Sequence, residues 1–411
     1  MDYDLIVRNG VLRSDVKKKV DIAIKGGKIA EIAPKIAGKA ATELDAEGNL
    51  VSESFVNTHL HLCKVYTLMM MDEAALKDYH GADMGKAMTA IELAAKVKDN
   101  YDEKWIIKNV RKAVSLAARY GCTHIRAFAD VDSKAKLEGV KALIRAREEF
   151  KGIVDIQVVA FAQDGLVREP GAEDLLRQAM KLGADVVGGI PWIEYTDADI
   201  AEHVKICFKV AKEFDKPVSM LVDDAGDAGL RSLELMALET IKTGWQGRSL
   251  AHHARAMSLY AKPYLQKLTA LLKKADMGVV SDPHTGPLHA RVRELLEENV
   301  LVCLGQDDIS DAYYPYGRNN MLEVAFLNSH LLWFTTNEDM ETLYDMVTKN
   351  AARAIGLKDF ELKVGAVANL VVLDQPNVLE ALRFHERPSY VISHGKLVDQ
   401  KAMDKILKEN S

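Results

Sequence analysis

The segment FVNTHLH, residues 55–61, begins as an apolar strand and ends with two histidines, and it sets the pattern for the central part of the chain. After it, short apolar runs alternate with amphipathic helical segments of about 12 to 18 residues. The eight strand candidates are residues 55–58, 124–128, 156–161, 185–190, 217–221, 249–252, 278–281 and 300–304. Continuous apolar strands that alternate with helices are typical of a parallel sheet covered by helices, so the pattern predicts a closed (β/α)8, or TIM, barrel. An open doubly wound sheet is the alternative, which the lack of a GxGxxG or Walker-type loop in the sequence disfavours.

Both ends of the chain carry short strand patterns separated by turns. They cover residues 3–51, with Gly26-Gly27 as a hairpin signal, and then 368–373, 388–393 and 396–398. Because neither end looks like a complete domain, we expect the two ends to pair into one sheet. The predicted organisation is a small β-sandwich domain from residues 1–54 and 361–411, and a barrel from residues 55–360.

Composition excludes several classes of protein. The 411 residues carry a net charge of -6 and are 48% hydrophobic, without the basic stripe or tail that a nucleic acid or an anionic membrane attracts. No apolar run approaches the roughly 20 residues of a membrane span, and the N-terminal segment MDYDLIVRNG is unlike a secretory signal. The four cysteines form no CxxC pair. We therefore expect a cytoplasmic protein without disulfides, and a homo-oligomer stays possible.

His59 and His61 are the strongest candidates for a metal site. Residues i and i+2 of an extended strand point the same way, so both imidazoles can face one ion at the C-terminal mouth of a barrel, where barrel enzymes have their active sites. An HxH pair also occurs by chance in many sequences, but this pair ends the first predicted barrel strand.

Gln306-Asp307-Asp308 follows the eighth predicted strand, which lies next to the first in a closed barrel. A carboxylate there can ligate the same ion and take a proton from its bound water. The alternative for an isolated pair of aspartates is a helix cap or a solvated loop.

Two further pairs follow strands six and five. Adjacent residues of a strand face opposite sides, so we expect one of His252 and His253 to enter the mouth and the other to be packed away. Asp223 and Asp224 directly follow the buried-type strand five, although most acid pairs lie in surface loops.

Five segments in this order resemble a known enzyme superfamily: FVNTHLHLCK (55–64), VDIQVVAFAQDG (154–165), LGADVVGGIP (182–191), VCLGQDDISDAYYPYGRNNML (302–322) and GAVANLVVLD (365–374). They are similar to the cytosine deaminase and N-isopropylammelide amidohydrolase branch of the amidohydrolase superfamily, from about residue 3 to residue 398. The resemblance implies one divalent ion, zinc or iron. The ion would activate water to attack a ring carbon of a small nitrogen heterocycle and expel an amine.

The resemblance also implies roles for individual residues. The metal ligands fall on His59, His61 and Asp307, and Asp307 also accepts the proton of the water. The histidine of strand six, which contacts the reacting centre and can reach the ion, falls on His253. Positions that contact the substrate fall on Gln163, Tyr313 and Asp308.

The sequence departs from the family pattern around the mouth. Leu221 stands where relatives carry a metal-binding histidine at the end of strand five, and Phe128 replaces a histidine of strand two. Asp224 takes the place of the glutamate that shuttles a proton to the leaving nitrogen, and it is one methylene shorter. Strand four, residues 185–190, has no lysine to be carboxylated, in agreement with one ion rather than two.

The leading hypothesis is a metal-dependent amidohydrolase that deaminates a cytosine-, triazine- or related aminopyrimidine-like substrate. The same chemistry allows a second hypothesis, ring-opening hydrolysis of a cyclic amide. Because Leu221 cannot ligate an ion, a non-catalytic, metal-poor binding protein is the third.

Overall fold

A four-stranded sheet begins the chain in the computed structural model, which describes residues 2–71, 94–283 and 288–410. Its strands are β1 (Tyr3–Leu12), β2 (Asp15–Lys25), β3 (Lys28–Ala33) and β4 (Ala40–Asp45), in the order β3-β2-β1-β4. The turn between β2 and β3 lies at Gly26 and Gly27, as the sequence predicts. The sequence does not predict β4. It is an edge strand that pairs in parallel with β1, and Leu44 is its buried side chain. The next strand, β5 (Val51–Glu53), leaves this sheet.

Eight parallel strands then form the barrel, which confirms the predicted fold class. They are β6 (Phe55–Leu60), β7 (Cys122–Asp130), β8 (Asp155–Phe161), β9 (Val186–Gly189), β10 (Val218–Val222), β11 (Ser249–His253), β12 (Gly278–Ser281) and β13 (Val302–Leu304), each hydrogen-bonded to the next. The chain beyond β13 also pairs with β6, because Leu60 bridges in parallel to Asp307. The Asp307 N–H donates to the His59 carbonyl (2.9 Å), and the His61 N–H donates to the Asp307 carbonyl (2.8 Å). These contacts close the barrel and exclude the open sheet.

Helices cover the outside of the barrel. In the part of the chain that the structure describes, the helices between barrel strands include α1 (Glu103–Arg119), α2 (Glu138–Glu149), α3 (Ala172–Leu182), α4 (Asp197–Phe214), α5 (Ser232–Thr243), α6 (Lys262–Lys274) and α7 (Val292–Glu297). After the last strand follow α8 (Met321–Leu331), α9 (Asn337–Met346) and α10 (Lys349–Ala354). In α1, the Asp102 side chain caps the helix by accepting from the Lys104 N–H. The residues of α1 that its apolar spacing places on one face are all buried: Ile106, Val110, Ala113 and Ala117.

The C-terminal part forms a second four-stranded sheet. Its strands β14 (Leu370–Val372), β15 (Tyr390–Ser393) and β16 (Lys396–Leu397) join β5 in the order β16-β15-β14-β5, and the helices α11 (Val378–Phe384) and α12 (Gln400–Glu409) accompany them. The two sheets share one apolar core, formed by Leu5, Val7, Ile22, Ile24, Val51, Leu370, Val372 and Ile392 among others. The sandwich built from both chain ends is therefore confirmed. The expectation of a single sheet is wrong, because the strands form two separate sheets; β5 joins the C-terminal sheet, and Lys28 of β3 makes an isolated bridge to Val367. The domain boundaries after residues 54 and 360 stay a prediction.

In the part of the chain that the structure describes, no helix combines the length and apolar character that crossing a bilayer requires.

Candidate active site and metal centre

Two histidines of β6 and an aspartate beyond β13 meet at the mouth of the barrel. The Nε2 atoms of His59 and His61 lie 2.9 and 3.7 Å from Asp307 Oδ1, and all three side chains are buried. The bridge between β6 and residue 307 sets these groups side by side, although they are far apart in sequence. Asp307 has a left-handed backbone (φ 68°), which a non-glycine residue adopts only where its surroundings hold it.

The charge states of these groups suit metal ligands. Burial lowers the pKa of both His59 and His61, so their imidazoles are neutral. Burial opposes ionisation of Asp307, but His253 and the hydrogen bond from His59 hold its pKa well below its usual range. Neutral imidazoles and an ionised carboxylate are the forms that bind a metal.

His253, at the end of β11, points into the same space. Its Nε2 lies 3.8 Å from Asp307 Oδ1, and its Nδ1 lies 2.6 Å from Asp282 Oδ2. Burial lowers the pKa of His253, but the carboxylates of Asp224, Asp307 and Asp282 outweigh burial and raise it to about 9. Asp282 thereby fixes the orientation of this imidazole. It is absent from the sequence prediction, although it directly follows strand seven, where the same reasoning places mouth residues.

His252 is packed among aromatic rings beside the metal-binding group. Its ring centroid is 4.6 Å from that of His59 and 5.1 Å from that of Phe128. From the sequence we expect one histidine of the pair to be packed or hydrogen-bonded while the other enters the mouth, and His253, which follows it, has left-handed backbone (φ 69°). His252 is fully buried, and within the described residues neither ring nitrogen has a hydrogen-bond partner. In the β10–β11 ladder, His252 stands directly beside Leu221.

Asp224 is bound to an arginine that the sequence analysis does not single out. Arg255 Nη1 lies 3.0 Å from Asp224 Oδ1, while Nη2 lies 2.7 Å from Asp282 Oδ1 and 3.6 Å from Asp307 Oδ2. Burial raises the pKa of Asp224. One buried guanidinium therefore contacts three carboxylates at the mouth.

Asp223 has a structural place beside this group. It accepts hydrogen bonds from the Ser232 N–H (2.7 Å), the Ser232 hydroxyl (2.6 Å) and the Tyr260 hydroxyl (2.7 Å). These bonds hold the loop after β10 against the start of α5, so that Asp224 is the residue of the pair that faces the mouth.

The predicted substrate residues cluster around a buried lysine. Lys64 Nζ donates to Gln163 Oε1 (2.7 Å), lies 3.5 Å from Asp130 Oδ1, and stands 5.1 Å from the centre of the Tyr313 ring. Burial lowers the pKa of Lys64, but Asp130 and the other acidic groups nearby, among them Asp308 and Asp311, together outweigh burial and raise the pKa. Lys64 is absent from the sequence prediction. It lies three positions after His61, and a lysine so close to the barrel mouth was a sequence signal for a functional residue.

Asp308 lies away from the metal-binding group. It is buried and interacts with Asp311, whose pKa is raised by its own burial and by the nearby Asp308 carboxyl. The structure thus places Asp308 near Lys64, because the carboxyls of Asp308 and Asp311 both raise the pKa of that lysine.

An apolar wall faces the histidines. Its buried members are Phe128, Val159, Phe161, Val186, Ile190, Trp192, Ile193 and Leu221, and the partly buried Tyr313 packs against them. Phe128 lies 4.3 Å from His59 and Phe161 lies 5.3 Å from His61, measured between ring centroids. Leu221 and Phe128 therefore make apolar the side of the mouth on which the family pattern has histidines.

The donor set at the mouth fits one divalent ion. The donor atoms of His59, His61 and Asp307 lie within 4.8 Å of one another, and two imidazoles with a carboxylate form a three-ligand set that zinc and iron accept while keeping an open position. The contacting charges also favour a cation. When ionised, the carboxylates of Asp224, Asp282 and Asp307 outnumber the positive charges of Arg255 and protonated His253 by one, which leaves negative charge at the mouth.

Comparisons with known proteins identify the family of this chain. A model of the amidohydrolase family matches residues 42–399. N-isopropylammelide isopropyl amidohydrolase of Pseudomonas sp. (strain ADP) is 33% identical over 398 residues, which cover 97% of each protein.

Two solved structures are similar over nearly the whole chain. One is 5-methylcytosine deaminase from Klebsiella pneumoniae, liganded with 5-fluorocytosine, with a TM-score of 0.88, 29% identity, and coverage of 96% of this chain and 97% of that chain. The other is N-isopropylammelide isopropylaminohydrolase from Burkholderia multivorans ATCC 17616, with a TM-score of 0.85, 27% identity, and coverage of 96% and 98%. The family match and these relatives show that the chain belongs to the amidohydrolase family and is a hydrolase of carbon–nitrogen bonds other than peptide bonds.

Proposed function

We propose that this enzyme uses one divalent ion to replace an amino or alkylamino group of a nitrogen heterocycle by an oxo group. The observation that carries the proposal is the convergence of His59, His61, Asp307 and His253 on one point at the barrel mouth, next to an apolar wall that suits a flat ring. The relatives named above, which act on N-isopropylammelide or are deaminases of 5-methylcytosine, support this substrate class.

His59, His61 and Asp307 would hold the ion, with His253 in reach as a fourth donor. Such an ion, zinc or iron, supplies a nucleophile by lowering the pKa of bound water to about 7. Arg255 stays close to Asp307 Oδ2 and prevents that carboxylate from turning away from the histidines.

Asp307 accepts a proton from the attacking water, since its carboxylate is ionised and lies at the centre of the group. Asp224 has a raised pKa, so it can carry a proton and place it on the departing nitrogen, after which the proton held by Asp307 replaces it. His253, oriented by Asp282, donates a hydrogen bond to the oxygen that becomes negative during the attack.

Gln163 presents hydrogen-bond donors to the ring. Its Oε1 accepts from Lys64, so the amide N–H groups are the part of Gln163 left for the substrate. The contact with Lys64 favours a ring that presents an oxo oxygen or an unprotonated ring nitrogen toward β8.

The test combines metal content with a substrate screen. Protein stripped with a chelator is reconstituted with zinc, iron or manganese, and is assayed for amine release from amino- and alkylamino-substituted pyrimidines, triazines and purines. We expect turnover together with one ion that His59→Ala and Asp307→Ala each remove, and both variants should be inactive. His330→Gln, at an exposed histidine of α8, is the control and should retain ion and activity. If the wild type holds no ion that His59→Ala removes, and turns over none of these compounds, the proposal is wrong.

A further inference from the structure

A second group of metal-binding side chains lies at the opposite end of the barrel from the mouth. His124 is close to the start of β7, Asp155 begins β8, and His394 lies in the turn between β15 and β16. The parallel register sets His124 directly beside Asp155. Asp130, which contacts Lys64 at the mouth, lies six positions beyond His124 along β7, so about 20 Å of strand separates the two groups.

The distances within this group suit a small metal ion. Asp155 Oδ2 lies 2.8 Å from His394 Nε2 and 3.6 Å from His124 Nε2, and the three donor atoms lie within 4.8 Å of one another. In a tetrahedral zinc site, with bonds of about 2.0–2.1 Å, neighbouring ligand atoms are about 3.3 Å apart. The two observed distances fall on either side of that separation.

His124 is already oriented as a metal ligand. Its Nδ1 lies 2.9 Å from Thr123 Oγ1, which in turn lies 2.6 Å from Ser54 Oγ. Its Nε2 is directed at Asp155, at a distance too long for a hydrogen bond, and no other hydrogen bond to a described residue reaches it. His124 is 5% exposed. Metal-binding histidines generally use their second nitrogen in such a bond to an oxygen, and Thr123 supplies that oxygen here.

His394 is held in place by its turn. Its backbone N–H donates to Asn369 Oδ1 (2.7 Å), and its backbone is left-handed (φ 49°). The next residue, Gly395, lies so close to the first hairpin that an added Cβ would stand 2.5 Å from Gly27 Cα. The imidazole of His394 is therefore presented to the barrel by a fixed part of the sandwich.

We propose that His124, Asp155 and His394 bind a transition-metal ion of the zinc class, which fastens the β-sandwich to the amino-terminal end of the barrel. Two imidazoles and one carboxylate form a donor set that binds zinc in preference to magnesium or calcium. The side chains of His394 and Asp155 are 40% and 39% exposed, so an ion enters from solvent and water completes its coordination. The role is structural, because this end of a barrel contributes stability and the opposite end contributes catalysis.

The experiment is made in a His59→Ala background, so that the ion at the mouth does not enter the count and the outcome is independent of the proposed reaction. Zinc bound per chain is measured after dialysis, together with the melting temperature with and without zinc, for His59→Ala, His59→Ala/His394→Asn and His59→Ala/His330→Asn. Asparagine tolerates left-handed backbone, so the turn at residue 394 is retained, and Asp155→Asn provides a second route to the same loss.

We expect one zinc ion in the His59→Ala protein and in the His330→Asn control, and none in the His394→Asn and Asp155→Asn variants. Zinc should raise the melting temperature only in the proteins that bind it, and cobalt(II) in its place should give the visible absorption of a tetrahedral site. Equal zinc counts with and without His394, or the same loss in the His330→Asn control, would overturn the proposal.

Discussion

The side chain at position 221 sets how many imidazoles surround the ion at the mouth. Leu221 packs against Phe128 and Phe161 in the apolar wall and stands beside His252 in the ladder. Because cross-strand neighbours point to the same side of a parallel sheet, a histidine at residue 221 would point into the mouth as His252 does.

We predict that Leu221→His tightens metal binding about tenfold or more, the size of effect that changes around metal ligands commonly have. The measurement is the zinc dissociation constant from competition with a chelator. Leu221→Gln, which is polar but a poor zinc ligand, is the matched control and should not tighten binding. If the histidine variant binds zinc no better than wild type, the mouth does not place residue 221 near the ion.

A second prediction concerns Gln163, whose oxygen is bound to Lys64. Gln163→Leu should raise KM by about 10- to 100-fold, because it removes the donors to the substrate and one hydrogen-bond acceptor of the buried Lys64 ammonium, while metal content stays unchanged. Gln163→Glu keeps a partner for Lys64 but has no N–H groups. If the donors matter, both variants lose affinity; a Gln163→Glu enzyme with wild-type KM shows that only the contact with Lys64 matters.

The candidate metal-binding residues could be grouped from the sequence because each lies at a strand end, and strand ends in a barrel share one mouth. His59, His61, His253 and Asp307 follow from that rule together with the family resemblance, although their roles stay predictions. Arg255 differs, because its importance comes from contacts with carboxylates carried by three different strand ends. Such contacts depend on side-chain rotamers and register, which no local pattern contains.

Among the elements of the fold, the junction of β13 with β6 matters most to the site. Gly305 makes the closest approach there: a Cβ on it would stand 2.5 Å from His59 Cβ and 3.1 Å from the backbone N and O of His59. Because Gly305 has no side chain, the segment after the eighth strand can pair with the first strand beside the candidate metal ligands.

We therefore predict that Gly305→Ala lowers the melting temperature and weakens metal binding together, because the added methyl group pushes His59 away from Asp307. Overpacking of this kind commonly costs about 1–3 kcal/mol. Gly152→Ala is a useful comparison, since a Cβ there meets nothing within 4 Å and only its positive φ is strained; its metal affinity should be unchanged. Wild-type metal affinity in Gly305→Ala would contradict this account of the junction.

All eight barrel strands are visible in the sequence because they are apolar and regularly spaced. β4 is not, because it is an edge strand with one buried side chain and has no continuous apolar pattern. α12 was also absent from the prediction, although Met403 is buried and Ala402 and Ile406 pack against the core at helical spacing. It lies against α1, where Arg119 pairs with Asp404 at 3.0 Å, and its apolar spacing was a signal that the prediction did not use.

For the molecule as a whole, buried neutral histidines should govern its response to acid. Burial lowers the pKa of His59, His61 and His252, and it lowers that of His124 to about 4. A histidine with a lowered pKa in the folded state takes up protons first in the unfolded chain, so stability is lost as pH falls below about 6.5. His253 has the opposite shift, to about 9, and its contribution is already complete below pH 6.5.

We predict that the melting temperature does not fall between pH 8 and about 6.5, where protonation of His253 adds stability, and that it then falls toward pH 4, with each such buried neutral histidine contributing at most about 1.4 kcal/mol per pH unit. Metal should be released over the same interval, because protonated imidazoles do not ligate. Thermal scans and metal analysis across this range provide the check, and His124→Gln should reduce the slope. A melting temperature that stays constant down to pH 4.5 would contradict the prediction.

The pairing of His59 with Asp307 joins residues that are 248 positions apart, and this has a consequence for how the protein is made. A chain growing on the ribosome exposes both histidines of the HxH long before the aspartate that completes their site has been synthesised. Each doubling of loop length costs only about 0.6 kcal/mol, so the final contact is delayed by the order of synthesis rather than by its entropy. Binding of the proposed ion by all three residues therefore has to wait until residue 307 has been synthesised and the eighth strand has paired with the first.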